Sequence, residues 1–283
     1  MSKETIVVPV NGTPMSLVVL PIAQQMACLL EATIRIIHIG GEPPSEAMEG
    51  LRKVGLSPSE LEGMVFEQLG GEPAEAILSR AEAWKSSMIV MCTHTAADHP
   101  RGHLGSVAKA VLLRSRIPVL FVQPERGRAP WEMKQLLLPH DGTPTTTAAI
   151  APAVELAYRI GAELDVLHVM APGASRPAEP GSYVGPYYVD QPAHEWPAWG
   201  NEFLERIRGM AHIPSVLRMH MFMVRGNPGA VIVDFAREHA IDLIVLAWHG
   251  VFEGEQALTM KHVIHHASCP VLVLRVKPDA GRP

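Results

Sequence analysis

The sequence predicts an α/β protein made of two copies of one unit, each a parallel sheet covered by helices. Three observations carry this. Short β-branched runs alternate with longer amphipathic stretches through both halves of the chain. Thr5–Val10 and Gln135–Leu138 are nearly continuous in apolar side chains, as strands buried on both faces are. Five landmarks then recur in the same order. Pro9-Val10-Asn11-Gly12-Thr13-Pro14 returns as Pro139-His140-Asp141-Gly142-Thr143-Pro144, and Ile36-Ile37-His38 as Val166-Leu167-His168. Gly71-Glu72-Pro73 returns as Gly226-Asn227-Pro228, Ile89-Val90-Met91 as Ile244-Val245-Leu246, and Pro118-Val119-Leu120 as Pro270-Val271-Leu272. The spacing between partners grows by 25 residues after the second landmark and shrinks by 3 before the last. The second copy therefore holds one insertion and one short deletion.

In the first copy Thr5–Val10 is a strand, and Met15–Glu31 a helix with Leu17, Leu20, Ile22, Met26 and Leu30 at helical spacing. Thr33–Ile39 is the second strand, Pro44–Val54 a helix, and Val65–Leu69 the third strand. Pro73–Trp84 reads as a helix because proline suits the first turn. Met88–Cys92 is a strand, Ser106–Arg116 a helix and Pro118–Val122 the last strand. The second copy repeats this order of five strands and four helices. Right-handed crossovers make each sheet parallel. The expected boundaries are 1–123 for the first domain, 124–133 for a linker with Pro124, Gly127 and Pro130, and 134–278 for the second.

Composition narrows the function. With 24 Lys+Arg against 29 Asp+Glu the net charge is −5, no footprint for a phosphate backbone, so nucleic acid is not an expected partner. No stretch approaches the roughly 18 apolar residues of a membrane span, and the N-terminus lacks a signal-peptide layout. Cys28, Cys92 and Cys269 are scattered within apolar runs and read as reduced, buried thiols of a cytoplasmic protein.

Ligands of open parallel sheets bind beyond the carboxyl ends of the strands, where strand order reverses. Two loops of the first copy leave such ends: Asn11-Gly12-Thr13, and the segment from Cys92 to Ser106. Gly105-Ser106 opens a helix, whose free backbone N–H groups suit an anion. Ser106 also fits as an ordinary N-cap. No Walker motif, dinucleotide G-x-G-x-x-G or G-x-S-x-G elbow is present.

The Val8-Pro9-Val10-Asn11-Gly12-Thr13 opening, the Gly-x-Pro at Gly71–Pro73, and Cys92-Thr93-His94-Thr95 with Gly105-Ser106 after a nine-residue gap resemble the universal stress protein family. So does the closing helix followed by Pro-Val-Leu, and the resemblance covers both halves. It implies two tandem flavodoxin-like (Rossmann-like) domains, each a five-stranded parallel sheet in the order 3-2-1-4-5. In nucleotide-binding members it implies the ATP motif G-x2-G-x9-G-[ST] and an Asp ending the first strand. Laid on this chain, the motif is damaged twice. The first copy has Asn11 for the Asp and Cys92 and Thr95 for the leading glycines, but keeps Gly105-Ser106. Replacing those glycines puts side chains where the backbone should approach a phosphate. The second copy has Asp141 and Gly250, with Ala247 at the first glycine, a loop three residues shorter and Ala257-Leu258 as its closing pair.

The candidate nucleotide contacts are thus Asn11, Gly12, Thr13, His38, Cys92, Thr95, Gly105 and Ser106. The second cleft offers Asp141, Gly142, Thr143, His168, Ala247 and Gly250. The implied cofactor is ATP or another adenine nucleotide with Mg²⁺. The resemblance also implies that the final strands, Pro118–Val122 and Pro270–Leu274, pair so that the copies form an intrachain pseudo-dimer; a homodimer is a further option.

Other chemistry is weaker. His94, His99 and His103 lie in one loop, and His262, His265 and His266 on the last helix. Positions 262 and 266 share a helical face, a metal-competent spacing, but nothing completes a ligand set. Ala171–Gly200 holds six Pro, four Gly, Tyr183, Tyr187, Tyr188, Trp196 and Trp199. So aromatic a segment reads as a lid or partner-binding loop. The expectation is a non-enzymatic stress-response protein, sensing a small ligand or binding a protein partner, with weak adenine-nucleotide binding in the first domain. The alternatives are an ATP-binding enzyme with slow hydrolysis, and a metal or small-ligand binder.

Overall fold

A computed structural model describes residues 3–40, 63–94, 104–127, 131–170, 216–248, 250 and 254–276, with the helical residues 49, 52, 202, 204, 205 and 209 between them. Thr95, His99, His103 and the aromatic segment 171–200 lie outside the described residues, as does most of the expected helix Pro44–Val54. The chain divides into two compact units, Met1–Glu132 with Ile264–Val273, and Met133–Val263 with Leu274–Pro283.

The first unit contains β1 (Thr5–Val10), α1 (Leu20–Leu30), β2 (Thr33–Ile39), β3 (Val65–Leu69), α2 (Pro73–Ala83), β4 (Met88–Cys92), α3 (Ser106–Arg114) and β5 (Val119–Val122). Its strands run in the order β3-β2-β1-β4-β5, all parallel. The order turns back between β1 and β4, which makes their C-terminal ends the switch point. Ile6, Val7, Val8, Ile36, Ile89 and Leu120 are buried in the sheet. Each such side chain contributes about 1.5–3 kcal/mol through burial. The second unit contains β6 (Gln135–Pro139), the helical turn Pro144–Thr147, α4 (Ile150–Ile160), β7 (Glu163–Met170), β8 (Met219–Arg225), α5 (Pro228–Glu238) and β9 (Leu243–Trp248). Its order is β8-β7-β6-β9, again parallel. The chain closes with α6 (Glu255–His266) and β10 (Val271–Arg275). Val271–Val273, which belong to the first unit, pair antiparallel with Val119–Phe121 of β5.

Local chemistry moved some boundaries. The first helix is not continuous from Met15: Pro14–Val19 is a 3-10 segment, and α1 starts only at Leu20. Pro21 has no N–H to donate and its ring crowds the carbonyl four residues back, so the helix restarts there. Pro152 sits in the first turn of α4, which likewise follows a separate helical turn. α3 stops at Arg114, not Arg116: Ser115 is extended, and its Oγ accepts from Ile117 N and donates to Ile117 O. Cys28 is exposed on α1, whereas Cys92 and Cys269 are buried and all three are free thiols. An apolar run on a helix covers both faces, and position 28 falls on the outer one.

Candidate functional site

The first unit has a cleft of about 280 Å³ at its strand ends. The end of β1 contributes Pro9, Val10 and Asn11, and Ile39 follows from β2. Pro73 and Ile77 of α2 form an apolar wall. Met91 through His94 close the floor, and Gly105 through Ala108 bring in the start of α3. Asn11, Cys92, Gly105 and Ser106, four of the sequence candidates, therefore meet around one space. Gly12, Thr13 and His38 are not among its lining. His38 lies against the turn, where a Cβ on Gly12 would stand 3.7 Å from its Nε2, and its buried Nδ1 has no hydrogen-bond partner among the described residues.

Each element is held by turn and cap chemistry. Asn11 Oδ1 accepts from Thr13 N at 3.1 Å and Thr13 Oγ1 at 2.7 Å. Gly12 takes φ +74, which glycine adopts without strain. Gly105 N donates to Thr93 O at 2.9 Å, tying the start of α3 to the end of β4.

The N-cap of α3 is Gly105, not Ser106, and among the described residues no side chain caps the helix. α2 and α5 differ: Glu72 accepts from Ala74 N and Glu75 N, and Asn227 accepts from Ala230 N. α3 thus begins at the cleft with its first-turn amides uncapped by any side chain, the arrangement that suits an anion. Among the described residues no Asp, Glu, Lys or Arg lines the cleft, and the helix end is the main electrostatic feature they give it. Cys92, at the family's first glycine, donates its thiol to His94 O at 2.9 Å. Burial pushes that thiol up to about 12, so it stays protonated at neutral pH and is not a nucleophile there.

At the equivalent strand end of the second unit the carboxylate is engaged by other side chains. Asp141 Oδ1 accepts from Thr143 N at 2.9 Å, Thr143 Oγ1 at 2.6 Å and Thr146 Oγ1 at 2.7 Å. Oδ2 accepts from Gln256 Nε2 at 2.9 Å. Burial works to raise this carboxyl, but the hydrogen bonds from Thr143, Thr146 and Gln256 outweigh it and hold it below its usual range. Gly250 takes φ +95, and a Cβ there would collide with the Arg275 guanidinium.

Beside Asp141 lies a buried histidine pair. His140 Nδ1 accepts from Gly142 N at 2.9 Å, which places the neutral ring's proton on Nε2, 3.3 Å from Thr147 Oγ1. His168 Nδ1 donates to His140 O at 2.9 Å. Burial lowers His140 to about 4 against the opposing pull of Asp141, and it lowers His168 as well. Gly142 and Thr143 belong to this turn, whereas Ala247 lies within β9.

Sequence reasoning missed Gln256, Arg275 and His140. His140 was visible as a polar residue where the first copy has Val10. Gln256 and Arg275 had only the shortened loop as a signal. On α6, His262 packs on Gly229 and His266 is exposed. Among the described residues no three metal-binding side chains gather.

The universal stress protein family model matches residues 3–123 and 132–275. A universal stress protein of Methanocaldococcus jannaschii is 31% identical over 147 residues, which is 50% of this chain and 82% of that protein. A universal stress protein of Bacillus subtilis is 29% identical over 150 residues, 50% of this chain and 98% of its own. Over the whole length, a crystal structure of a universal stress protein from Archaeoglobus fulgidus superposes with a TM-score of 0.65 at 17% identity, covering 97% of this chain and 99% of that one.

Proposed function

The chain belongs to the universal stress protein family, and from that premise we propose that it is a non-enzymatic, ligand-responsive module whose first copy alone keeps a ligand cleft. The observation that carries this is the start of α3, which enters the 280 Å³ cleft with no side-chain cap. Such a site takes one anionic group at the amides of Ser106, Val107 and Ala108, with the body of the ligand against Pro9, Ile39 and Ile77. An adenine mononucleotide meets both demands, its phosphate at the helix start and its flat base on the apolar wall. Among the described residues the cleft offers Mg²⁺ no carboxylate, because Asn11 is neutral and no acid is among its lining. Magnesium and a triphosphate are therefore not required for binding. With Cys92 held as a thiol, the cleft's chemistry is that of holding a ligand. The free thiols support a reducing compartment such as the cytoplasm.

Calorimetric titration of the full chain with adenosine monophosphate and with ATP, each with and without Mg²⁺, tests the proposal. Saturable heat with the monophosphate, unchanged by Mg²⁺, is expected. No heat with either nucleotide, or binding that appears only with Mg²⁺, would contradict it.

A further inference from the structure

We propose that the second copy carries a built-in ligand: the Gln256 carboxamide occupies Asp141, and its removal leaves a site for a small neutral amide. The two oxygens of Asp141 have different partners. Oδ1 is bound by its own turn through Thr143 and Thr146, just as Asn11 Oδ1 is bound by Thr13 in the first copy. Those bonds are turn chemistry and recur with the repeat. The Oδ2 bond is different, since its donor comes from a residue 115 positions away, on another element.

The deletion explains how Gln256 arrives. Three residues fewer lie between Gly250 and the closing pair than in the first copy, so α6 starts at Glu255 and presents Gln256 in its first turn. The Arg275 guanidinium lies over Gly250. The matching residue of the first copy, Gln123, is engaged elsewhere, donating to Ile264 O at 2.9 Å. A shorter loop thus exchanged an open strand end for one filled from within.

The donor chemistry defines what could replace Gln256. A carboxylate oxygen already placed in a polar pocket accepts an N–H from a neutral amide and repels an anion. Acetamide reproduces the Gln256 end group and serves as the probe. Among the described residues the titratable groups that feel the charge of Asp141 are His140 and His168, both buried.

Thermal melts of the full chain test the proposal with two variants. Gln256→Ala is expected to lower the melting midpoint by about 2–6 °C, and acetamide to raise that midpoint saturably while leaving the wild type unmoved. Gln256→Glu keeps the shape but sets a second carboxylate against Asp141, so one must hold a proton. The folded variant then binds more protons than the unfolded chain, and its stability relative to wild type falls as pH rises from about 5 to 8. An equal acetamide response in both proteins, or a Gln256→Glu difference that is flat with pH, would overturn the proposal. Should Gln256→Ala fail to fold, the pH slope of Gln256→Glu decides alone.

Discussion

Asn11 ends the leading strand of the first copy, and Asp141 ends that of the second, at matching points of one duplicated fold. Around Asn11 the turn closes on itself, and the space beyond is a cleft bounded by the uncapped start of α3. Around Asp141 the same turn is extended by Thr146, Gln256 and a buried histidine pair. The first copy has a helix start without a side-chain cap among the described residues beside its strand end, whereas the second engages its strand-end carboxylate with a side chain of another element. Buried or half-buried polar groups must find partners, and a copy without a ligand finds them internally. On the proposed reading, one loop deletion and a few side chains turn a site into scaffold.

The largest expected difference concerns these two residues. Asp141→Ala strands the hydroxyls of Thr143 and Thr146 and the amide of Gln256, and should cost roughly 3 kcal/mol, as losing several hydrogen bonds to a charged acceptor does. Asn11→Ala removes two bonds from an exposed turn and should cost about 1 kcal/mol. Segment-resolved hydrogen exchange in urea separates the units, with the losses falling on β6–β7 and β1–β2 respectively. Equal costs would break the comparison.

A smaller difference should appear in acid. His140 takes a proton only near pH 4 when folded, against about 6.5 when unfolded. Between those values the unfolded chain binds more protons, so stability falls as pH falls from about 6.5 to 4 and is complete above that window. The loss should be on the order of 2–3 kcal/mol, and His168 adds in the same direction. Asp141, held below its ordinary range, extends the loss further into acid. The first copy has Val10 at this position, so its exchange protection should change less over the same window. His140→Asn should flatten the slope in β6–β7.

The smallest effect lies at the ends of matching helices. α4 ends on Gly161 at φ +69, while α1 ends on Glu31 at φ +53. Glu31→Gly should therefore stabilise the first unit by about 0.5–1 kcal/mol, and Gly161→Glu should destabilise the second by a similar amount. Urea midpoints check both.

Much of the fold was readable from the residues. Thr33–Ile39, Val65–Leu69 and Met88–Cys92 are strands to the residue, because β-branched runs between turn signals leave the chain little choice. The repeat itself placed the strand ends, and with them Asn11, Cys92, Gly105 and Ser106. Less readable were features that depend on direction. Whether Cys28 faced in or out turned on the face of α1, and whether Ser106 was cap or first turn turned on Gly105. The bond from Gln256 to Asp141 spans 115 residues and one hydrogen bond, and no local pattern encodes it. Arg275 over Gly250 is of the same kind, a side chain reaching back from the last strand.

The central claim is that one copy binds and the other is filled, and the number of ligands held by each chain tests it most directly. Titration with adenosine monophosphate should give one equivalent per chain, unaffected by Gln256→Glu and lost in Gly105→Asp. Gly105 has φ −56 and ψ 153, so Asp fits there, caps α3 with its own carboxylate and opposes the phosphate. Two equivalents per chain, or one that survives Gly105→Asp and disappears in Gln256→Glu, would contradict the account.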